Sequence, residues 1–139
     1  MSRSPGKWLF KEEPSHYSFA RLEDDRRTTW DGVENNLALK HLRNVRKGDE
    51  ILFYHTGDER SVVGMMKAVS DAYQDPKGKD EKLVVVDVAP VRGFRRPVSL
   101  AEIKSNPKFK GFDLLRISRL SVIPVPDSMW EEILRLSES

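Results

Sequence analysis

No cysteine occurs in this 139-residue chain, which excludes disulfides and thiolate chemistry and removes sulfur from any zinc ligand set. Histidine is nearly as scarce. The three present, His16, His41 and His55, stand in no metal-ligand spacing, so neither a metal nor another cofactor is expected. Long apolar runs are also missing: nothing approaches the ~20 residues of a membrane helix. Met1 to Lys7 lacks the apolar segment and small-residue cleavage site of a secretion signal. With no cysteine to favour an oxidising compartment, a cytoplasmic protein is the simplest expectation, or a nuclear one in a eukaryotic host. The eight glycines are scattered among turns, without a Walker or dinucleotide loop. Charge of one sign is lacking too. Lys and Arg number 24 against 22 Asp and Glu, a net +2, so the total implies no nonspecific grip on nucleic acid.

What is present fits one domain over 1–139, with residues 1–6 expected to be a disordered tail and the protein a monomer. The pattern is α+β. Trp8 to Lys11 is a short apolar run stopped by Pro14, consistent with a strand. Ser18 to Leu22 can form a helical turn. Asn35 or Asn36 can cap a helix carrying Leu39, Leu42 and Val45 at helical spacing, with Gly48 ending it. Ile51 to His55, Val62 to Val69 and Leu83 to Val88 read as strands, the first two paired across the turn between them. Asp71 to Lys82 reads as an exposed loop. Two Ser-x-x-Glu capping boxes, Ser99 with Glu102 and Ser128 with Glu131, open the last two helices, and Leu120 to Val125 reads as a strand between them. Five or more strands with short helices at their ends predict a curled, mostly antiparallel sheet or barrel.

Charge distribution says more than charge. Between Arg92 and Arg119 the chain carries a net +6. That segment is either a solvated face with counter-charges elsewhere or a phosphate-facing surface, in which Arg92, Arg95, Arg96, Arg116 and Arg119 are the candidate contacts. The rarest aromatic and polar residues are also grouped. Trp30-Asp31-Gly32-Val33-Glu34-Asn35-Asn36 lies upstream of a strand ending Tyr54-His55-Thr56-Gly57. A tryptophan beside glycine can offer a flat face, and asparagine, tyrosine, histidine and threonine supply donors and acceptors. This is the inventory of a pocket for a planar, hydrogen-bonding ligand such as a nucleobase. Trp8 and Trp130 sit in apolar patterns and are expected in the core. Trp30 has no local apolar face and is either a stacking wall or a plug at the end of the barrel.

Enzymatic readings are thin. His55 could serve Thr56 or Ser61 as a base, but neighbouring residues on a strand diverge. Glu12 and Glu13 diverge for the same reason. The residues therefore support a binding module, and no enzyme is expected. A nucleobase- or nucleotide-processing enzyme using His55, a small-molecule sensor and a protein-interaction module are the alternatives.

The order of motifs carries more. Trp8-x-x-Lys11-x-Glu13-Pro14-x-x-Tyr17-Ser18, then Trp30-Asp31-Gly32-Val33-Glu34-Asn35, then Gly48-Asp49, Tyr54-His55-Thr56 and Val63-Gly64, then Arg119-Leu120-Ser121-Val122 with Pro124-Val125, resembles the EVE domain across nearly the whole chain. The resemblance implies a PUA-like barrel related to PUA, ASCH and YTH domains. It also implies a nucleic-acid partner and a pocket for a modified base, methylated or hydroxymethylated cytosine in DNA foremost. On that resemblance Trp30 is the stacking wall with Asn35 near it, Tyr54, His55 and Thr56 form the polar edge, and Lys11, Pro14, Tyr17 and Ser18 belong to the opening motif. Thr56 stands where the family more commonly has serine, and Glu34 where it usually has arginine.

Overall fold

The computed structural model describes residues 5–78 and 80–139. The expected tail falls, over residues 1–4, outside the described residues, while Gly6 donates its N–H to Asp49 and accepts from the Glu50 N–H. Among the described residues the chain forms β1 (Lys7–Glu12), α1 (Phe19–Asp25), β2 (Thr28–Trp30), α2 (Asn36–Leu42), β3 (Glu50–His55), β4 (Ser61–Ala68), β5 (Tyr73–Gln74), β6 (Val84–Ser99), α3 (Leu100–Ser105), α4 (Asp113–Arg116), β7 (Val122–Pro124) and α5 (Asp127–Ser137), with a 3-10 turn at Pro107–Phe109.

The sheet runs β2-β6-β4-β3-β1-β7, with β5 pairing off β6. Strands β1 and β3 are parallel, Lys11 opposite Tyr54 and Glu12 opposite His55, and the other pairs are antiparallel. A parallel pair needs a long crossover, and here α1, β2 and α2 supply it. Helix α2 touches both β6 and β7, which lie four places apart in the strand order. The sheet is therefore curled into a half-barrel, the α+β architecture expected. Register shifts in β3/β4 and β4/β6 mark bulges that sharpen the curl.

Local sequence explains most of the ends. Ser18 caps α1 by accepting from the Arg21 N–H, and Asn35 caps α2 by accepting from the Ala38 N–H. Ser99 and Glu102 form the expected capping box. Ser128 does not form one. Helix α5 starts at Asp127, behind Pro126, whose fixed φ suits a helix entry, and no side chain caps it. Gly48 does not end α2 either: the helix stops at Leu42, and Gly48, at φ 94°, makes the turn into β3. There Asp49, 1 % exposed, accepts from the Gly6 N–H, the Trp8 indole N–H and the Arg46 N–H. Asp49 is thus a buried clasp between the start of β1 and the turn into β3.

Strand β2 was not expected, nor was β5, inside the Asp71 to Lys82 segment expected to be a loop, and β6 runs beyond its expected end. β2 lies in a run that begins with charged residues, and β6 continues eleven residues beyond Val88 through Pro90, Gly93 and Pro97. The first part of β6 pairs with both β2 and β4, whereas its last part pairs with β4 alone. Proline is tolerated on such an edge.

Candidate functional site

Residues along a strand point alternately to opposite faces, and the ends of β1 and β3 use this to make two clefts. On one face Phe10, Phe53 and His55 form a column with Trp30. The Trp30 ring centroid lies 5.4 Å from that of Phe10 and 5.4 Å from that of Phe53, the latter edge-on. Trp30 is 5 % exposed. Its apolar face is made by strands distant in sequence, so its lack of local apolar neighbours did not foretell its environment, and most of the ring plugs the barrel. The remainder lines a hollow of about 150 Å³ with Glu12, His16, Tyr17, Thr28, Thr29 and Asp31. A second hollow shares Glu12, His16 and Asp31 and extends past Gly32 and Val33 to Glu34. Together they form an acidic cleft.

Its walls are held by hydrogen bonds. Tyr17 donates to Asp25 at 2.8 Å, and Arg21 lies 5.4 Å from the Tyr17 ring centre. Burial first, then the Asp25 carboxylate, pushes the Tyr17 phenol up, so it remains a donor. Thr29 and Tyr73 both donate to one Asp87 oxygen, and Arg27 pairs with the other. At the mouth, a Glu12 oxygen lies 3.3 Å from His16 Nδ1.

The other cleft, about 330 Å³, opens on the opposite side of the same strand ends. Lys11, Tyr54, Thr56, Arg60, Lys104 and Ser118 line it, with Gly57, Leu100 and Leu114. Lys11 Nζ donates to the Ser118 carbonyl at 2.9 Å and lies 5.8 Å from the Tyr54 ring centre. Burial pulls the Lys11 ammonium down and pushes the Tyr54 phenol up. This cleft is cationic.

The expected pocket residues are therefore divided. Tyr17 and Trp30 belong to the acidic cleft; Lys11, Tyr54 and Thr56 belong to the cationic one. Asn35 and Ser18 spend side-chain oxygens on helix caps and line neither cleft, and Pro14 sits in the turn after β1. His55, 7 % exposed, accepts the Phe19 N–H at Nε2 and meets Glu59 Oε2 at Nδ1, 2.9 Å away. The Phe19 bond requires a lone pair on Nε2, so the ring proton is on Nδ1. Neither ring nitrogen is left for a substrate.

The expected phosphate contacts divide as well. Arg92 and Arg95 are exposed on β6, with Arg92 5.4 Å from the Phe94 ring centre. Arg96 bonds Glu102 and the Leu136 carbonyl, tying β6 to α3 and α5. Arg116 pairs with Asp113, and Arg119 is exposed before β7. β4, β3 and β1 lie between β6 and β7 in the strand order, so the five arginines come from separate elements of the fold. Arg60 and Ser118 were not identified from the sequence as members of any site, and Lys104 entered only as one charge of the basic Arg92 to Arg119 segment. Only the fold shows their convergence, since they come from a hairpin turn, a helix and a loop.

A curled mixed sheet with short helices at its ends defines a PUA-like fold. An ASCH protein from Zymomonas mobilis shares it at TM-score 0.59 and 11% identity, over 94% of this chain and 95% of that one. The chain belongs to the EVE family: the EVE domain model matches residues 7–136. It is 32% identical to human thymocyte nuclear protein 1, over 94% of this chain and 73% of the relative. Among solved structures, the human THYN1 protein in complex with 5-methylcytosine-containing DNA matches at 31% identity and TM-score 0.89, over 96% of this chain and 98% of that chain.

Proposed function

We propose that this protein is a reader of modified bases in DNA, with 5-methylcytosine as its foremost ligand and the acidic cleft as its base pocket. The observation that carries the reading is the similarity, over nearly the whole of both chains, to a human protein in complex with 5-methylcytosine-containing DNA. The chemistry of the cleft supports it. A base taken out of its stack is read on its polar edge and held against aromatic or apolar side chains. Here the exposed part of Trp30 and the Tyr17 ring supply the apolar contact, and Thr28 and Thr29 supply hydroxyls. The carboxylates of Glu12 and Asp31 are acceptors suited to the exocyclic amine of cytosine, a donor that thymine lacks. His55, with both ring nitrogens engaged, positions α1 and the floor of the cleft.

The test is a titration against matched oligonucleotides carrying cytosine, 5-methylcytosine, 5-hydroxymethylcytosine, adenine or N6-methyladenine, for the native chain and for Asp31→Asn. The native chain is expected to prefer a modified cytosine, and Asp31→Asn to lose about 5- to 150-fold for it, the span of one good base-edge contact. Equal affinity for all five oligonucleotides would overturn the reading.

A further inference from the structure

We propose that the cationic cleft is a phosphate site, built by Lys11, Arg60 and Lys104 and completed by the hydroxyl of Tyr54. Three cations from three separate elements, β1, the β3–β4 turn and α3, line one hollow whose wall contains no carboxylate. None of the three has a carboxylate partner within 4.0 Å among the described residues. The carboxylates nearby are engaged or lie outside this wall. Glu13 accepts from the Thr56 hydroxyl and the Ser15 N–H, and Glu59 holds His55, while Asp58 and Glu59 line an adjoining depression that Arg60 and Lys104 also border. Like charges gathered around one cavity repel, and an anion placed between them removes that repulsion.

The free donors suit a phosphate. Lys11 gives one N–H to Ser118 and retains two. Burial makes its charge costly, which an anionic neighbour would offset. Arg60 spends Nε on the Gly57 carbonyl, keeping its terminal nitrogens for a forked contact. Its backbone is strained. At φ 43° it occupies the left-handed region, where glycine or asparagine costs less, and the Leu100 N–H bonded to its carbonyl holds it there. Leu100 and Leu114 close the cleft on the apolar side.

The ligand chemistry is a phosphate group, carried either as an internal phosphodiester of a nucleic-acid strand or as a phosphomonoester. Only the choice of a DNA carrier rests on the reader function above; the anion site does not depend on it. Arg92, Arg95 and Arg119 are exposed surface cations and do not line this cleft.

The experiment is a proton–nitrogen correlation titration of the native chain with inorganic phosphate at constant ionic strength, chloride serving as control. It is repeated for Arg60→Gln and Lys104→Gln. Saturable shifts at Thr56, Gly57 and Leu100 with phosphate but not chloride, lost in the variants, are expected. Lys104 is exposed and makes no ion pair, so its variant reports on binding even if the strained Arg60 turn changes. A second arm measures DNA affinity against salt. If the site holds an internal phosphodiester, the variant carrying both substitutions flattens the log–log slope by about 1, equally for methylated and unmethylated DNA. An unchanged slope with the phosphate shifts present assigns the site to a phosphomonoester. Absence of localised phosphate shifts in the native chain would overturn the site, whatever the modified-base titration returns.

Discussion

The two clefts at the ends of β1 and β3 are built by adjacent residues of opposite charge. Glu12 lines one and Lys11 the other. One is floored by a nearly buried indole and rimmed by Asp31 and Glu34; the other is walled by a phenol, two hydroxyl-bearing residues and three cations. A parallel strand pair ending at one level gives both, because successive side chains leave on opposite faces. The lesson concerns division of labour. Carboxylates can read a base amine but repel phosphate, and cations do the reverse, so one pocket holding both sets would compromise each contact.

The sharpest way to break the comparison is at the floor of the acidic cleft. Trp30 lies against Phe10 and Phe53, so Trp30→Ala removes core as well as a ligand contact and is expected to destabilise the fold by about 3–5 kcal/mol. Trp30→Phe keeps part of the packing and should cost less. Denaturant midpoints with unchanged slopes would show it, and a loss below about 1 kcal/mol would mean the indole is not structural. His55→Ala comes next. It strands the buried Phe19 N–H and costs about 1–3 kcal/mol by the same measurement. Catalytic turnover of a nucleotide that disappears in His55→Ala while the fold survives would instead revive an enzymatic role.

How much of this was legible in the chain depends on whether partners are near in sequence. The caps at Ser18, Asn35 and Ser99 act within three residues, and two of them could be read directly from spacing. The β3–β4 hairpin and the divergence of His55 from Thr56 follow from alternation. β6 was read only as far as Val88, because Pro90, Gly93 and Pro97 signal breaks that bulges and an open edge in fact accommodate. Whether Trp30 is a wall or a plug could not be read locally, because Phe10 and Phe53 reach it from 20 and 23 residues away. The Arg92 to Arg119 cluster was visible as charge. Its neutralisation at Arg96 by Glu102 and at Arg116 by Asp113 is a matter of side-chain direction.

Acid should act unequally on the two clefts. Burial alone would push the Asp87 carboxyl up, but hydrogen bonds from Tyr73, Thr29 and Arg27 outweigh it and hold it below the usual value of 3.8. A carboxylate with a depressed folded pKa stabilises the fold fully above its unfolded value, and that contribution is lost as pH falls through the folded value. Asp87 anchors β2 through Thr29 and Arg27, so the wall of the acidic cleft should loosen below about pH 4. Faster amide exchange in β2 at pH 3 than at pH 5, after correction for intrinsic rates, and a smaller change at Thr56 and Gly57 are expected. Uniform change across both clefts would show that Asp87 has no local hold.

The smallest effect belongs to Glu34, exposed at the far end of the acidic cleft. A carboxylate there repels an approaching DNA backbone, yet water and salt screen an exposed charge to about 1 kcal/mol or less. Glu34→Arg is therefore expected to tighten DNA binding by no more than about fivefold at low salt, with the gain shrinking as salt rises. Because phosphate contacts carry no base information, the gain should be the same for methylated and unmethylated strands. A change in the ratio between those strands would place Glu34 on the base instead, joining it to Glu12 and Asp31 as a reader. Anisotropy titrations at two salt concentrations separate these outcomes, since only a backbone contact weakens with salt while leaving the ratio fixed.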